Sequence, residues 1–186
     1  SPSPNQVLLT PEGTIAGARV RTFLLEKRRV AAPPPPRERN FHVFYMLAAR
    51  AAGSLLPAGR TAQSFRCLAC ADADADADAA GHAVQLDELV AALRQLFVPE
   101  EAQAAVWRLL GAILLLGEVT FDQEEGQGGA ARPARPEVLR AAEEAFGCPG
   151  LGALLTAQEM PSPRGSSTYS IALDAKRAAA ARDSVQ

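Results

Sequence analysis

Apolar positions recur at helical spacing along most of this chain and alternate, or run briefly, in a few short stretches. Phe41, Phe44, Tyr45, Leu47 and Ala48 mark one helix face over 38–52, with Glu38 at the positive end of the dipole and Gly53 as the stop. Asp87 is a good N-cap for a helix carrying Val90, Leu93, Leu96 and Phe97. Pro99-Glu100-Glu101 opens the next helix, with proline at a permitted first position and acids in the first turn, and Gly117 closes it. These two are expected to pair antiparallel. A further helix starts at Pro136-Glu137, carries Leu139, Ala142 and Phe146, and stops at Gly147. Residues 151–157 add a short helix, and Asp174 caps a last one running through Ala178 and Ala181 to Val185.

Between the helices the signals are those of strands and turns. Val7-Leu8-Leu9 and the stretch 15–25 flank Thr10-Pro11-Glu12-Gly13, where proline fixes a bend and glycine supplies positive φ, so a hairpin is predicted. Val20, Thr22 and Leu24 alternate with Arg19, Arg21 and Phe23, which gives one strand face a partner that this chain does not obviously supply. Residues 119–121 read as a short strand, 123–136 as a loop, and 158–171 as a hairpin or an extended loop bent at Pro161, Pro163 and Gly165. Pro33-Pro34-Pro35-Pro36 can be neither helix nor central strand and reads as a stiff polyproline spacer. Residues 54–81 dissolve into Gly, Pro and Ala and then an alternating Asp-Ala run, the pattern of a mobile surface insert. The fold class is therefore α+β, mostly α-helical. A chain that opens at a strand pair and closes inside a helix has the ends expected of an excerpt.

Charge removes several function classes. A net charge of −2 over 186 residues creates no basic field, so neither nucleic acid nor an anionic membrane surface is an expected partner. The most apolar run, 106–117, is broken by Arg108 and falls well short of the roughly 20 residues a membrane span requires. Cys67, Cys70 and Cys148 are too few for a disulfide framework, which suits a reducing, cytoplasmic setting. Cys67-x-x-Cys70 has the spacing of half a zinc site, but its second half is missing unless Cys148 and His82 are imported, so the pair reads as ordinary thiols. A calcium-loop frame from Asp76 puts Gly81 sixth and Asp87 twelfth, yet has Ala80 where a ligand belongs and no closing Glu; a solvated acid repeat is the better account. His42 falls in an aromatic-rich helix and reads as structural. No GxxxxGK[ST] loop and no nucleophile elbow occurs, so no catalytic, cofactor-binding or metal residue is assigned.

The ordered series of segments carries a family resemblance. Gly17-Ala18-Arg19-Val20-Arg21-Thr22-Phe23-Leu24-Leu25-Glu26-Lys27-Arg28-Arg29-Val30, followed by Glu38-Arg39-Asn40-Phe41-His42-Val43-Phe44-Tyr45, resembles the myosin motor head, where a GA-x-I-x-x-YLLEKSRV strand leads into an ERN-[YF]-H-x-FY helix. The segment from Val106-Trp107 to Thr120-Phe121 is similar to the family's IW-x-x-LAAILHLGN-x-x-F, and Arg182-Asp183 matches its ARD-x-[LV] signature. The resemblance implies part of the P-loop NTPase-type myosin motor fold: the upper 50 kDa subdomain plus a transducer hairpin, with an incomplete central sheet. It divides the chain into a transducer-like hairpin (1–30), a helical upper 50 kDa region (37–157, variable insert 54–81), an actin-facing loop (158–171) and a truncated helix (172–186).

The same resemblance implies that ATP and Mg²⁺ belong to the complete motor, whose phosphate loop and switch I precede this segment and whose switch II follows it. This chain alone would be inactive as an ATPase and would hold no cofactor. Its implied partners are the actin filament and the remainder of the heavy chain, in the cytoplasmic actin cytoskeleton. Residues 122–136 and 158–171 would face actin, whose acidic surface suits Arg132, Arg135 and Arg164 as contacts. The resemblance is to an unconventional, class-XV-like member, and Arg28, the four prolines, Leu115 and Glu118 depart from the family pattern as those of a divergent or degenerate motor would. The alternative is a non-catalytic, divergent helical interaction module derived from a motor. Poor autonomous stability is expected, because the first hairpin lacks sheet partners.

Overall fold

The computed structural model describes residues 5–20, 28–35, 38–50, 56, 60–69, 77–124, 129–161 and 168–185. They form helices and three separate two-stranded antiparallel sheets, consistent with α+β. The elements are β1 (Asn5–Leu9), β2 (Ile15–Val20), α1 (Arg28–Ala31), α2 (His42–Ala49), α3 (Ala79–Gln95), α4 (Glu100–Gly117), β3 (Phe121–Gln123), β4 (Ala131–Pro133), α5 (Pro136–Phe146), α6 (Leu151–Thr156), β5 (Ala157–Pro161), β6 (Thr168–Ala172) and α7 (Ala175–Val185).

The first hairpin forms as its turn residues predict: β1 and β2 pair antiparallel, and Gly13 takes φ 83° at the bend. Val7, Leu8, Leu9 and Ile15 nevertheless stay more than half exposed, so the hairpin buries little within the described residues. Residues 21–25 of the predicted strand lie outside that set.

The core gathers around the C-terminal half of α4. Leu114, Leu115, Leu116 and Val119 meet Phe44, Tyr45 and Leu47 of α2, Leu139 and Ala142 of α5, and Leu151 and Leu155 of α6. Five further members are Leu56, Ala62, Phe65, Cys67 and Leu68, and the side chains of Phe65 and Leu68 have no exposed surface at all. The surface-insert reading of 54–81 is therefore corrected across 60–69. A 3-10 turn, Ala62–Ser64, delivers Phe65 into the core, and amides of Leu68 and Ala69 fold back onto the Phe65 carbonyl at 3.0 and 2.8 Å. Phe65 and Leu68 in a Gly/Pro/Ala background carry no periodicity, although fully burying each stabilises by about 1.5–3 kcal/mol.

α2 starts later than residue 38 because Asn40 holds the preceding segment extended, and residues 51–53, where the predicted end and the Gly53 stop fall, lie outside the described residues. Asn40 Nδ2 donates to the carbonyls of Arg29 (2.5 Å) and Cys67 (2.9 Å), its Oδ1 accepts from the Phe41 amide (2.7 Å), and its own amide donates to the Tyr45 hydroxyl (3.1 Å). That hydroxyl donates onward to the Leu68 carbonyl at 3.2 Å. Phe41 consequently occupies the N-cap with an extended ψ of 128°, and His42, first in the helix, is exposed.

α3 starts well before Asp87, with Asp78 in the N-cap position and alanines in the opening turns, where helix propensity is highest. Asp87 lies mid-helix, its carboxylate paired with Arg50. Asp76 lies outside the described residues, and from residue 79 the calcium frame runs into helix, which cannot wrap its ligands around one ion. α3 and α4 do not form the expected antiparallel pair. The buried positions of α3, His82 and Leu86, go with its packing on α2, whereas those of α4 concentrate between Gly111 and Gly117 and α4 packs on α5. Phe97, in the left-handed region at φ 57°, redirects the chain between them. No helix among the described residues is long and apolar enough to cross a membrane.

Candidate functional site: two hairpins on a shared root

The stretch 123–136 is not simply a loop, because β3 and β4 pair through it: Phe121 opposes Pro133, Asp122 opposes Arg132, and Gln123 opposes Ala131. The Ala134 amide extends this ladder to the Thr120 carbonyl at 2.8 Å. β5 and β6 form the predicted second hairpin, with Ala157 opposite Ala172 and Pro161 opposite Thr168.

One residue joins the two hairpins at their bases. The Leu173 amide donates to the Thr156 carbonyl just before β5, and the Leu173 carbonyl accepts from the Ala131 amide in β4, both at 2.7 Å. The Leu173 side chain is buried with Ala131 and Ala178 and packs near Phe121 and Ala181. Small alanines on α7 allow this approach. The helix starts here because Asp174 caps it, its Oδ1 accepting from the Arg177 amide at 2.8 Å.

The root is fastened to the end of α4. Gly117, last in the helix, leaves its carbonyl without an intrahelical partner, and the chain turns away through Glu118 and Val119. Each of these three carbonyls receives a guanidinium: Arg66 Nε to Gly117 (3.1 Å), Arg135 Nη2 to Glu118 (3.0 Å) and Arg182 Nη1 to Val119 (2.6 Å). Positive charge at this pole also complements the helix dipole. The Glu118 carboxylate accepts from Arg60 Nη1 (3.0 Å) and the Arg66 amide (2.8 Å). Asp183 Oδ1 accepts from Arg182 Nε and Nη2 (2.8 and 2.5 Å) and from Arg66 Nη2 (3.3 Å). Arg60 also lies over the Phe65 ring, 4.9 Å from its centroid. Four arginines and two carboxylates therefore clamp α4, the 60–69 segment, α7 and the β3–β4 hairpin together.

This arrangement positions; it contains no nucleophile with a base. Cys67 is buried, and burial pushes its thiol up to about 12, reinforced by Glu118 and only partly offset by Arg66, so it stays protonated and unsuited to ligate zinc. Cys70 lies outside the described residues, and Cys67 and Cys148 are free. His82 is buried with its ring centroid 5.7 Å from that of Tyr45. Among the described residues no three His, Cys, Asp or Glu side chains converge on one point.

Of the candidate contact residues, Arg132 sits exposed on β4, opposite Asp122. Arg135 is committed through its guanidinium to the Glu118 carbonyl at the root. Arg164 lies outside the described residues. Sequence reasoning missed Arg60 and Arg66 altogether. Glu118 was visible only as a departure from a pattern, and Arg182-Asp183 only as part of a motif.

The chain matches the Myosin head (motor domain) family over residues 6–186. It is 27% identical over 186 residues to Myosin-1 of Mycosarcoma maydis, an alignment covering 97% of this chain and 14% of that protein. Myosin-13 of Arabidopsis thaliana is 30% identical over 193 residues, covering 97% and 12%. Unconventional myosin heavy chain 6 of Caenorhabditis elegans is 32% identical over 116 residues, covering 60% and 5%. The chain spans about an eighth of the length of the curated relatives that it matches along most of its own length.

Proposed function

The chain belongs to the myosin head family, and on that premise we propose that it serves as the actin-facing, force-transmitting part of an ATP-driven motor. The observation that carries this reading is the shared root. Leu173 ties the two hairpins to each other, and Arg135 and Arg182 tie that root to the end of α4. A displacement of the helical body would then move both hairpins as one unit, which is what a coupling element between a nucleotide site and a filament requires.

Within such a motor we read 37–157 as the upper 50 kDa subdomain and 1–30 as a transducer hairpin. The exposure of Val7, Leu8, Leu9 and Ile15 supports a hairpin that packs on something beyond the described residues. The match to an unconventional heavy chain supports an unconventional class. ATP and Mg²⁺ would be held by other parts of the motor, so this chain's contribution is mechanical. Arg132, exposed on β4, and Arg164, in the 158–171 hairpin, are the proposed contacts to acidic actin, while Arg135 acts at the root.

Co-sedimentation of the chain with filamentous actin across a salt series tests this. Bound fraction should fall as salt rises, and Arg132→Glu with Arg164→Glu should weaken binding further at low salt. Binding that ignores both salt and these substitutions, or no binding at any salt, refutes the actin-contact reading.

A further inference from the structure

The proline tract is unused by the motor reading. The rings of Pro33, Pro34 and Pro35 fix φ near −65°. Each of Ala32, Pro33, Pro34 and Pro35 also precedes a proline, which sterically excludes the α region. Covalent geometry alone therefore sets a left-handed polyproline helix with three residues per turn. The chain at 33–35 carries no hydrogen-bonded secondary structure, as this conformation demands. Three residues per turn give three edges, and burial separates them: Pro34 is half-buried against the protein, while Ala32, Pro33 and Pro35 are exposed. Two edges thus point outward. The Pro35 carbonyl accepts from the Glu38 amide at 3.0 Å.

The tract's ends are clasped. Asn40 Nδ2 donates to the Arg29 carbonyl at 2.5 Å, and Arg29 Nη1 donates to the Arg39 carbonyl at 3.2 Å. Asn40 is itself buried, so the clasp is anchored in the core. A stiff segment closed at its base has little conformational freedom left to lose on binding. The flanks carry a net positive charge, with Arg28 and Arg29 before the tract and Arg37 and Arg39 after it against the single acid Glu38; Arg29 and Arg39 lie over the Phe41 and Tyr45 rings, 5.8 and 5.5 Å from the centroids, and Arg37 lies outside the described residues.

We propose that Ala32 to Pro35 is a docking ligand for an SH3-type module, whose aromatic-lined groove takes the two outward edges and whose acidic rim complements the net positive charge of the flanks. This proposal is independent of the motor reading. The test is surface plasmon resonance of the full chain over immobilised SH3 domains with acidic groove rims, beside WW and EVH1 domains with neutral rims. Saturable SH3 binding is expected. It should weaken about tenfold in a Pro33→Ala/Pro35→Ala variant, whose exposed rings leave the core untouched, and should weaken further as salt rises.

A synthetic 28–40 peptide, lacking the core that anchors the clasp, should bind about tenfold more weakly than the full chain; it also reads out the proline dependence if the variant chain fails to fold. No SH3 binding up to about 1 mM, a standard-state affinity near 4 kcal/mol, overturns the proposal. So does SH3 binding indifferent to the proline substitutions in both chain and peptide, or capture by the neutral-rimmed modules alone.

Discussion

Arg182→Ala is the sharpest test of the clamp. The Arg182 side chain is 6% exposed, and it satisfies the Val119 carbonyl as well as the Asp183 carboxylate. Truncation leaves the Val119 carbonyl, on a residue that is itself only 1% exposed, without its 2.6 Å donor. An unsatisfied buried acceptor of this kind costs about 1–3 kcal/mol. Losing the Asp183 partner costs less than a fully buried pair would, because Asp183 is 34% exposed and Arg66 still reaches it at 3.3 Å; about 1 kcal/mol is appropriate after solvent screening. The total is about 2–4 kcal/mol. Arg177→Ala is the control: its pairing to Asp174 is at 3.8 Å with the arginine 72% exposed, so the change should stay below about 0.5 kcal/mol. Urea unfolding followed by far-UV circular dichroism measures both. Hydrogen exchange should also quicken at the Ala131 and Leu173 amides in Arg182→Ala, since the root is held through that contact. If the two variants unfold within about 0.5 kcal/mol of each other, the clamp does not hold the fold together.

Three further outcomes are expected. Asn40→Asp should destabilise more than Asn40→Ala in urea titrations, because the carbonyls of Arg29 and Cys67 would face a carboxylate oxygen where they now meet an NH₂ donor; an equal loss would contradict that network. Cys148 should react with a thiol reagent in the native state while Cys67 reacts only on unfolding; prompt labelling of both would contradict the burial of Cys67. The Cys67 thiol also predicts an alkaline stability loss. The unfolded thiol deprotonates near 9.0 while the folded one keeps its proton to about 12, so this contribution is intact below pH 9 and shrinks as pH rises towards 12; Cys67→Ala should flatten that part of the urea-midpoint profile, and an unchanged slope would refute it.

Elements whose ends carry their own chemistry were legible in the sequence. Gly117, Gly147 at φ 65° and the Asp174 cap bound α4, α5 and α7 where local rules put them, and Gly13 set the first hairpin. Residues 60–69 were not legible, because what orders them is remote: Cys67 is held by Asn40, 27 positions away, and Arg66 by Glu118, 52 positions away. The clamp is more remote still, with Arg66 and Asp183 separated by 117 positions, and no periodicity encodes such a pairing. β3 and β4 have three residues each, too few for alternation to register. The start of α3 is not legible because Asp87 has the side chain of a good cap, whereas the preference of the preceding alanines for helix is weaker per residue and decisive only in sum.

Anchoring a pair of projections through the amide and the carbonyl of a single residue separates what evolution can vary from what it must keep. Insertions or deletions at either tip alter reach and charge without disturbing the hinge-like knot below. A shift of one position at Leu173, by contrast, would unhook both ribbons together, since its donor and its acceptor serve different ones. Two contact surfaces can thereby be retuned separately while their mutual alignment stays fixed.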